Sequence, residues 1–341
     1  MLRRGAVVAL ISIALIVAAA TTAIAYFVDW LPEQASEERQ GMDLVFWVTV
    51  GICIFVFSVV ASVSIYSGIK FRVRPDDDSD GPPIHGHTGL EILWTAVPTA
   101  LVTVIAVLSA VVLAQNDRAK GTPLRVDVRA QQYAWQFTYP GKQKVTSTVL
   151  YLPKGRSTKL YMRSEHADGT PDVIHSFWVP EFGQKQDVVP GIVTTLVITP
   201  TKLGDFRVIC TELCGLGHAL MRTRAIVLSP EGFNAWIKKQ REAAGGPPGQ
   251  AGEAAFKSLG CVACHTLTAA GATGKVGPDL DNLDKESIPG GQSLEAYVRQ
   301  SIQDPSAYRR PGYAAQMPPF DLPKAQLDAL VAFVVESAKQ H

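Results

Sequence analysis

Three long apolar runs dominate the first third of the chain. Gly5–Val28, Leu44–Ile69 and Ile92–Leu113 carry no charged residue over 24, 26 and 22 positions. Rising about 1.5 Å per residue, a helix of that length crosses a hydrocarbon core of roughly 30 Å. Pro98, inside the third run, is tolerated in a membrane helix and predicts a kink. The first run follows Arg3 and Arg4 and contains Ala23-Ile24-Ala25, so residues 1–28 are either a cleaved signal peptide or a retained anchor. Residues 43–114 are expected to form a two-helix transmembrane hairpin. Lys70, Arg72 and Arg74 place the 70–90 loop, with its solvated Asp76–Asp78 run, on the cytoplasmic side. Everything after Ala114 then lies on the outer face.

The pattern changes period beyond the third run. Short β-rich stretches, Leu124–Val128, Thr158–Met162, Thr194–Thr199, Phe206–Ile209 and Ala225–Leu228, alternate with turn signals such as Tyr139-Pro140-Gly141 and Val189-Pro190-Gly191. Strands of this length with such punctuation predict a β-sandwich or Greek-key barrel over 115–241, closed by a short helix at Phe233–Arg241. Residues 242–252 (EAAGGPPGQAG) have the composition of a flexible linker. Helical spacing returns at Glu253–Leu259, Ser293–Gln303 and Pro323–Lys339, which predicts a small all-helical domain over 253–341.

Composition sharpens this division. The chain is 47% hydrophobic, with the excess at the N-terminal end, and its net charge of +1 hides a split. Residues 115–242 carry 18 basic and 11 acidic side chains, a net of +7, and residues 253–341 carry 8 and 10, a net of −2. Of five cysteines, Cys53 sits alone in an apolar run as a packed side chain. The others form two close pairs, Cys210/Cys214 and Cys261/Cys264, each with a histidine downstream, which points to metal or haem chemistry.

Cys210-Thr-Glu-Leu-Cys214-Gly-Leu-Gly-His218-Ala-Leu-Met221 places two thiols, an imidazole and a thioether within 12 residues, and His175 lies 35 residues upstream of Cys210. Thiolate, thioether and imidazole together form a soft set suited to copper. Two thiolates can bridge two copper ions, each capped by one histidine, with Met221 and the Glu212 carbonyl in weak axial positions. A disulfide, a structural zinc site and a single-copper site are the alternatives; none of them uses both thiolates, both histidines and Met221.

Cys261-Val-Ala-Cys264-His265 has the spacing for thioether attachment of c-type haem, with His265 as the proximal iron ligand. Met317 is the sole methionine of the C-terminal domain and sits in Met-Pro-Pro-Phe320, which makes it the candidate sixth ligand. His85, His87, His166 and His341 read as loop or terminal side chains.

At these residues the chain resembles subunit II of the haem-copper cytochrome c oxidases, over 44–230 and including Asp172-Val-Ile-His-Ser-Phe-Trp-Val-Pro180. Residues 253–341, with Gly277-Pro278-Asp279-Leu280, are similar to a small class I cytochrome c. The resemblance implies two membrane helices before a cupredoxin-like domain holding a dinuclear copper A centre. It also implies that the Glu212 carboxylate binds magnesium shared with subunit I, and that Glu91 stands at the mouth of a proton path. The family admits electrons through adjacent tryptophans; here Tyr133 stands in the first position and Trp135 in the second. As plain sequence, both are strand residues covering the copper loop.

The function implied is electron input to a respiratory cytochrome c oxidase in a bacterial cell membrane, with copper and haem domains on the outer face. Electrons would pass from fused haem c to copper and on to subunit I, where oxygen is reduced and protons are pumped. The partners implied are subunit I, the other oxidase subunits, and an upstream donor, a quinol–cytochrome c reductase or a cytochrome c. Electron input to a copper-containing nitric oxide reductase uses the same ligands and is the alternative. A copper-delivery or redox-sensing protein is a third reading, disfavoured because six converging ligands make a tight site.

Overall fold

A computed structural model describes residues 4–72, 83, 85–166, 169–244, 246–308, 310–313, 317–320 and 322–340. Arg3, Arg74, Asp76–Asp78 and His341, named above, lie outside the described residues. The chain divides into two units, residues 1–33 with 39–116, and residues 34–38 with 117–341.

The first unit consists of helices α1 (Arg4–Phe27), α2 (Glu38–Lys70) and α3 (Thr88–Asn116), all three long and apolar enough to cross a membrane. The expected hairpin starts earlier and ends later than its apolar core, because polar turns at both ends continue the helical hydrogen bonding. Hydroxyls inside the spans donate to carbonyls one turn back, as Ser58 does to Ile54 (2.7 Å), Thr99 to Thr95 (2.7 Å) and Thr103 to Thr99 (2.7 Å). Such bonds keep these hydroxyls paired in lipid. Glu91 lies exposed in the first turn of α3, where its Oε1 accepts the His87 amide at 3.1 Å and so caps the helix start. Pro98 is inside α3.

The second unit is a sandwich of two five-stranded sheets carrying a small helical domain. In chain order the strands are β1 (Leu124–Gln131), β2 (Ala134–Tyr139), β3 (Val145–Ser147), β4 (Leu150–Pro153), β5 (Thr158–Ser164), β6 (His175–Trp178), β7 (Lys185–Val188), β8 (Thr194–Ile198), β9 (Gly204–Cys210) and β10 (Arg222–Leu228). They pair as β3-β2-β1-β5-β8 and β4-β10-β9-β6-β7. Alternation along β5 buries Thr158, Leu160, Met162 and Ser164 and leaves the intervening residues half-buried, the period of a strand with one face in a core. Trp135, Phe137 and Phe177 fill that core, with the Trp135 and Phe177 rings edge to face at 5.4 Å. Residues 34–38, to which the sequence lent no role, join this unit: Ala35 N–H donates to Glu181 O (2.9 Å) and Glu37 N–H to Thr199 O (3.0 Å).

Helix α4 (Pro230–Ala244) closes the sandwich, and α5 (Pro248–Ser258), α6 (Leu294–Gln303) and α7 (Lys324–Ala338) build the helical domain. The expected linker at 242–252 is thus corrected. Its ends are helical, and the helical domain starts at Pro248, where proline suits the first turn of a helix. Helix α7 buries Leu327, Leu330, Val331, Val334 and Ala338, a helical stripe facing this core. A Cβ at Gly252 of α5 would run into the Ala329 carbonyl and Phe333 Cβ of α7. Gly252→Ala should therefore destabilise the helical domain by about 1–3 kcal/mol. A denaturant midpoint equal to that of the parent chain would contradict this packing.

Candidate copper and haem centres

The candidate copper ligands converge because three strands of one sheet meet at their ends. Cys210 is the last residue of β9, Met221 immediately precedes β10, and His175 opens β6, which pairs with β9 through Phe177 and Cys210. The β9–β10 loop carries Glu212, Cys214 and His218 back across that end. Cys210 N–H donates to Met221 O (3.1 Å), so the two ends of the loop are pinned to each other.

Each thiol has its own histidine. Cys210 Sγ lies 3.9 Å from His175 Nδ1, Cys214 Sγ lies 3.6 Å from His218 Nδ1, and the two sulfurs are 3.9 Å apart. Met221 Sδ is 3.8 Å from Cys214 Sγ, and the Glu212 carbonyl oxygen is 3.3 Å from Cys210 Sγ. A disulfide needs sulfurs about 2.05 Å apart, so these two cysteines are not bonded. His175, Met221, Cys214 and Cys210 are buried, while His218 is half-buried. The metal-ligating atoms of His175, Cys210 and Cys214 all lie within 4.8 Å of one another. Two facing thiols, one histidine for each and a thioether, with a single carbonyl oxygen beside them, fit copper better than a hard cation.

The electrostatics prepare the thiols differently. Burial raises the Cys210 thiol, but the His175 ring and the Ser176 and Glu212 backbone groups outweigh it and bring it down to about 6. Burial and then the neighbouring Cys210 push Cys214 up. A bound cation deprotonates a coordinating thiol outright.

His175 is held from behind. Its Nε2 lies 3.2 Å from Asp172 Oδ2, which assigns the proton to Nε2 and turns the Nδ1 lone pair toward the sulfurs. Burial would raise the Asp172 carboxyl, yet His175 and the Val173 and Gln132 amides hold it below the usual carboxylate range. The sequence singled out the Asp172–Pro180 motif but gave Asp172 no role; its position three residues before the ligand histidine was the available signal. Asp172→Asn should weaken copper retention by roughly 10–100-fold. Competition against a copper chelator measures this, and an unchanged affinity would remove Asp172 from the centre.

Tyr133 and Trp135 occupy different places. Trp135 is buried beneath the centre, its ring centroid 6.2 Å from that of His175. Tyr133 is half-buried and lies against the copper loop, where a Cβ at Gly217 would strike its ring. Gly215, at φ 116°, adopts a backbone conformation that favours glycine.

The second centre is an apolar cavity of about 140 Å³ in the helical domain, lined by Cys261, His265, Leu280, Tyr297 and Met317 among others. His265 Nδ1 donates to Pro278 O at 2.9 Å, which leaves Nε2 free, and burial lowers its pKa so that the ring stays neutral. A Cβ at Gly277 would come within 2.7 Å of the His265 ring, so glycine is required where the 277–280 segment passes it. Cys264 is exposed and does not belong to the cavity wall, whereas Cys261 does. An imidazole nitrogen, a thioether and an attachment thiol lining one apolar cavity fit a covalently held haem.

Residues 20–112 match the family described as cytochrome c oxidase subunit II, transmembrane domain; 166–228 match its periplasmic domain; and 249–338 match cytochrome c. Cytochrome c oxidase subunit 2 of Synechocystis sp. is 35% identical over 254 residues, covering 61% of this chain and 74% of the relative. That of Thermostichus vulcanus is 33% identical over 270 residues, 64% of this chain and 80% of the relative. That of Alkalihalophilus pseudofirmus is 28% identical over 310 residues, 86% of this chain and 84% of the relative.

Proposed function

Because this chain belongs to the cytochrome c oxidase subunit II family and ends in a cytochrome c domain, we propose that it is the electron-input arm of a respiratory oxidase, fed by its own haem. The observation that carries this reading is the pairing of one histidine with each of two facing thiols, in the same compact unit as the His265/Met317 cavity. When bound, a haem and a copper pair exchange single electrons with little change in ligand geometry.

The protein's own part is to hold, orient and insulate. Asp172 fixes the His175 ring, Pro278 fixes that of His265, and Trp135 and Phe177 keep water from the underside of the copper loop. Cys210, Cys214, His175 and His218 would hold the copper, with Met221 and the Glu212 carbonyl as weaker donors. The exposed Glu212 carboxylate would remain available to a magnesium ion shared with subunit I. Glu91 would add proton entry to its capping role on α3. The three membrane-length helices suit a bacterial plasma membrane with the sandwich outside, where an upstream reductase or cytochrome c reduces the haem.

A tethered donor is present at roughly millimolar effective concentration. The +7 and −2 segments attract each other and disfavour a basic soluble cytochrome. Stopped-flow reduction of the copper centre, with and without residues 253–341, tests this. Fast reduction that needs the haem domain is expected, whereas equal rates with a basic soluble cytochrome as donor would overturn the proposal.

A further inference from the structure

Among the described residues, hydrogen bonds join the copper and haem parts of the second unit at Thr148–Ser258 and at Gln131–Pro319. One is a clasp between backbone strands: Thr148 N–H donates to Ser258 O at 3.1 Å, three residues before Cys261. On the other side of Thr148, its carbonyl accepts from Thr223 Oγ1 at 2.5 Å, two residues after Met221. This clasp reaches the copper centre only at a weak axial ligand.

The second contact is of another kind. Gln131, buried at the end of β1, donates from Nε2 to the Pro319 carbonyl, two residues after Met317. The next residue, Gln132, holds the copper centre twice. Its backbone N–H donates to Asp172 Oδ2 at 2.6 Å, the same oxygen that faces His175 Nε2 at 3.2 Å. Its side-chain Nε2 donates to the Cys214 carbonyl at 2.5 Å.

We propose that Gln131 and Gln132 form the bridge by which electrons cross from the haem domain to the copper centre. The bridge runs from Met317 through Pro318 and Pro319, across the Gln131 amide, along the 131–132 peptide, and then forks. One branch reaches His175 through Asp172, the other reaches Cys214 directly, so the fork ends on a ligand of each thiol–histidine half. Electron tunnelling falls off more steeply across empty space than along bonds, and a fully hydrogen-bonded amide path leaves no such gap between the domains. One electron arrives at the copper side for each that leaves the haem side, and the glutamines are neither oxidised nor reduced. They are positioning residues that also carry the electronic coupling. The aromatic pair is not part of this path: Trp135 is buried and Tyr133 lies on the glycines of the loop.

This inference rests on the proposed haem and copper ligands, and its test separates the two. In the full chain within the assembled oxidase, the haem is reduced by a flash from a photoactive ruthenium donor, and electron arrival is followed in the copper absorbance. Gln131→Met keeps the size and apolar packing of the side chain and removes the donor. It should measurably slow transfer, because a through-space gap replaces the lost hydrogen bond. The shared-copper spin-resonance spectrum, the haem–methionine charge-transfer band and the exchange protection of the Thr148 amide should all persist. Gln132→Met, at a half-buried site, should slow transfer by a smaller factor because the Asp172 branch survives. Unchanged rates in both variants would overturn the bridge, as would slowing that appears only with loss of Thr148 protection, which would make Gln131 a mere clamp. A parent chain lacking the copper or haem signature would instead sink the cofactor assignment itself.

Discussion

Replacing Cys214 with serine should reduce bound copper from two ions per chain to at most one and lower electron delivery to the partner subunit by more than about 100-fold. The magnitude follows from the place of the side chain. Cys214 Sγ is the sulfur that meets Cys210, His218 and Met221, at 3.9, 3.6 and 3.8 Å. Losing a residue that merely orients a ligand costs roughly 10–100-fold, and losing a bridging ligand costs more. Serine nearly preserves volume in a site where Cys214 is 2% exposed, so the sandwich should stay folded. Metal analysis of the purified variant gives the stoichiometry, and two retained copper ions would show that Cys214 is not a bridge.

Replacing Met317 with histidine should lower the haem midpoint by roughly 0.1 V or more, because a thioether opposite histidine favours the reduced iron and a second imidazole does not. About 59 mV is a tenfold change for one electron, so against a fixed donor the ratio of reduced to oxidised haem should fall well over tenfold. The sign matters for the relay. Uptake from the upstream donor suffers, while delivery from an already reduced haem toward copper becomes more downhill. A redox titration together with donor-driven and flash-driven rates separates the two. An unchanged midpoint would remove Met317 from the haem.

The candidate ligands were legible in sequence because metal chemistry restricts residue type and spacing together. Cys210, Cys214, His218 and Met221 fall in one loop between β9 and β10, and soft donors at that density have few other uses. The membrane helices were legible for a similarly direct reason, since lipid leaves no choice but an unbroken apolar helix. Strands β3, β4 and β7 were not, because three- and four-residue strands carry too few alternating positions to stand out. The 242–252 stretch has linker composition, and only packing such as Gly252 against α7 makes its second half helical. Segment 34–38 joins the sandwich through backbone hydrogen bonds, which no side-chain pattern announces. The bridge was invisible for the same reason: two adjacent glutamines are ordinary polar residues until the fold sets one against Pro319 and the other against Cys214 and Asp172. Aromatic spacing drew attention to Tyr133 and Trp135 instead, and in the fold these cover the loop and fill the core.

The account depends most on there being two copper ions that share one unpaired electron between Cys210 and Cys214. Electron paramagnetic resonance of the oxidised, purified full chain tests this most directly, since the haem and copper signals are separable. The account predicts a copper hyperfine pattern produced by one electron coupled equally to two nuclei. A pattern from a single copper nucleus, or no copper signal beside a chain loaded with zinc, would contradict it.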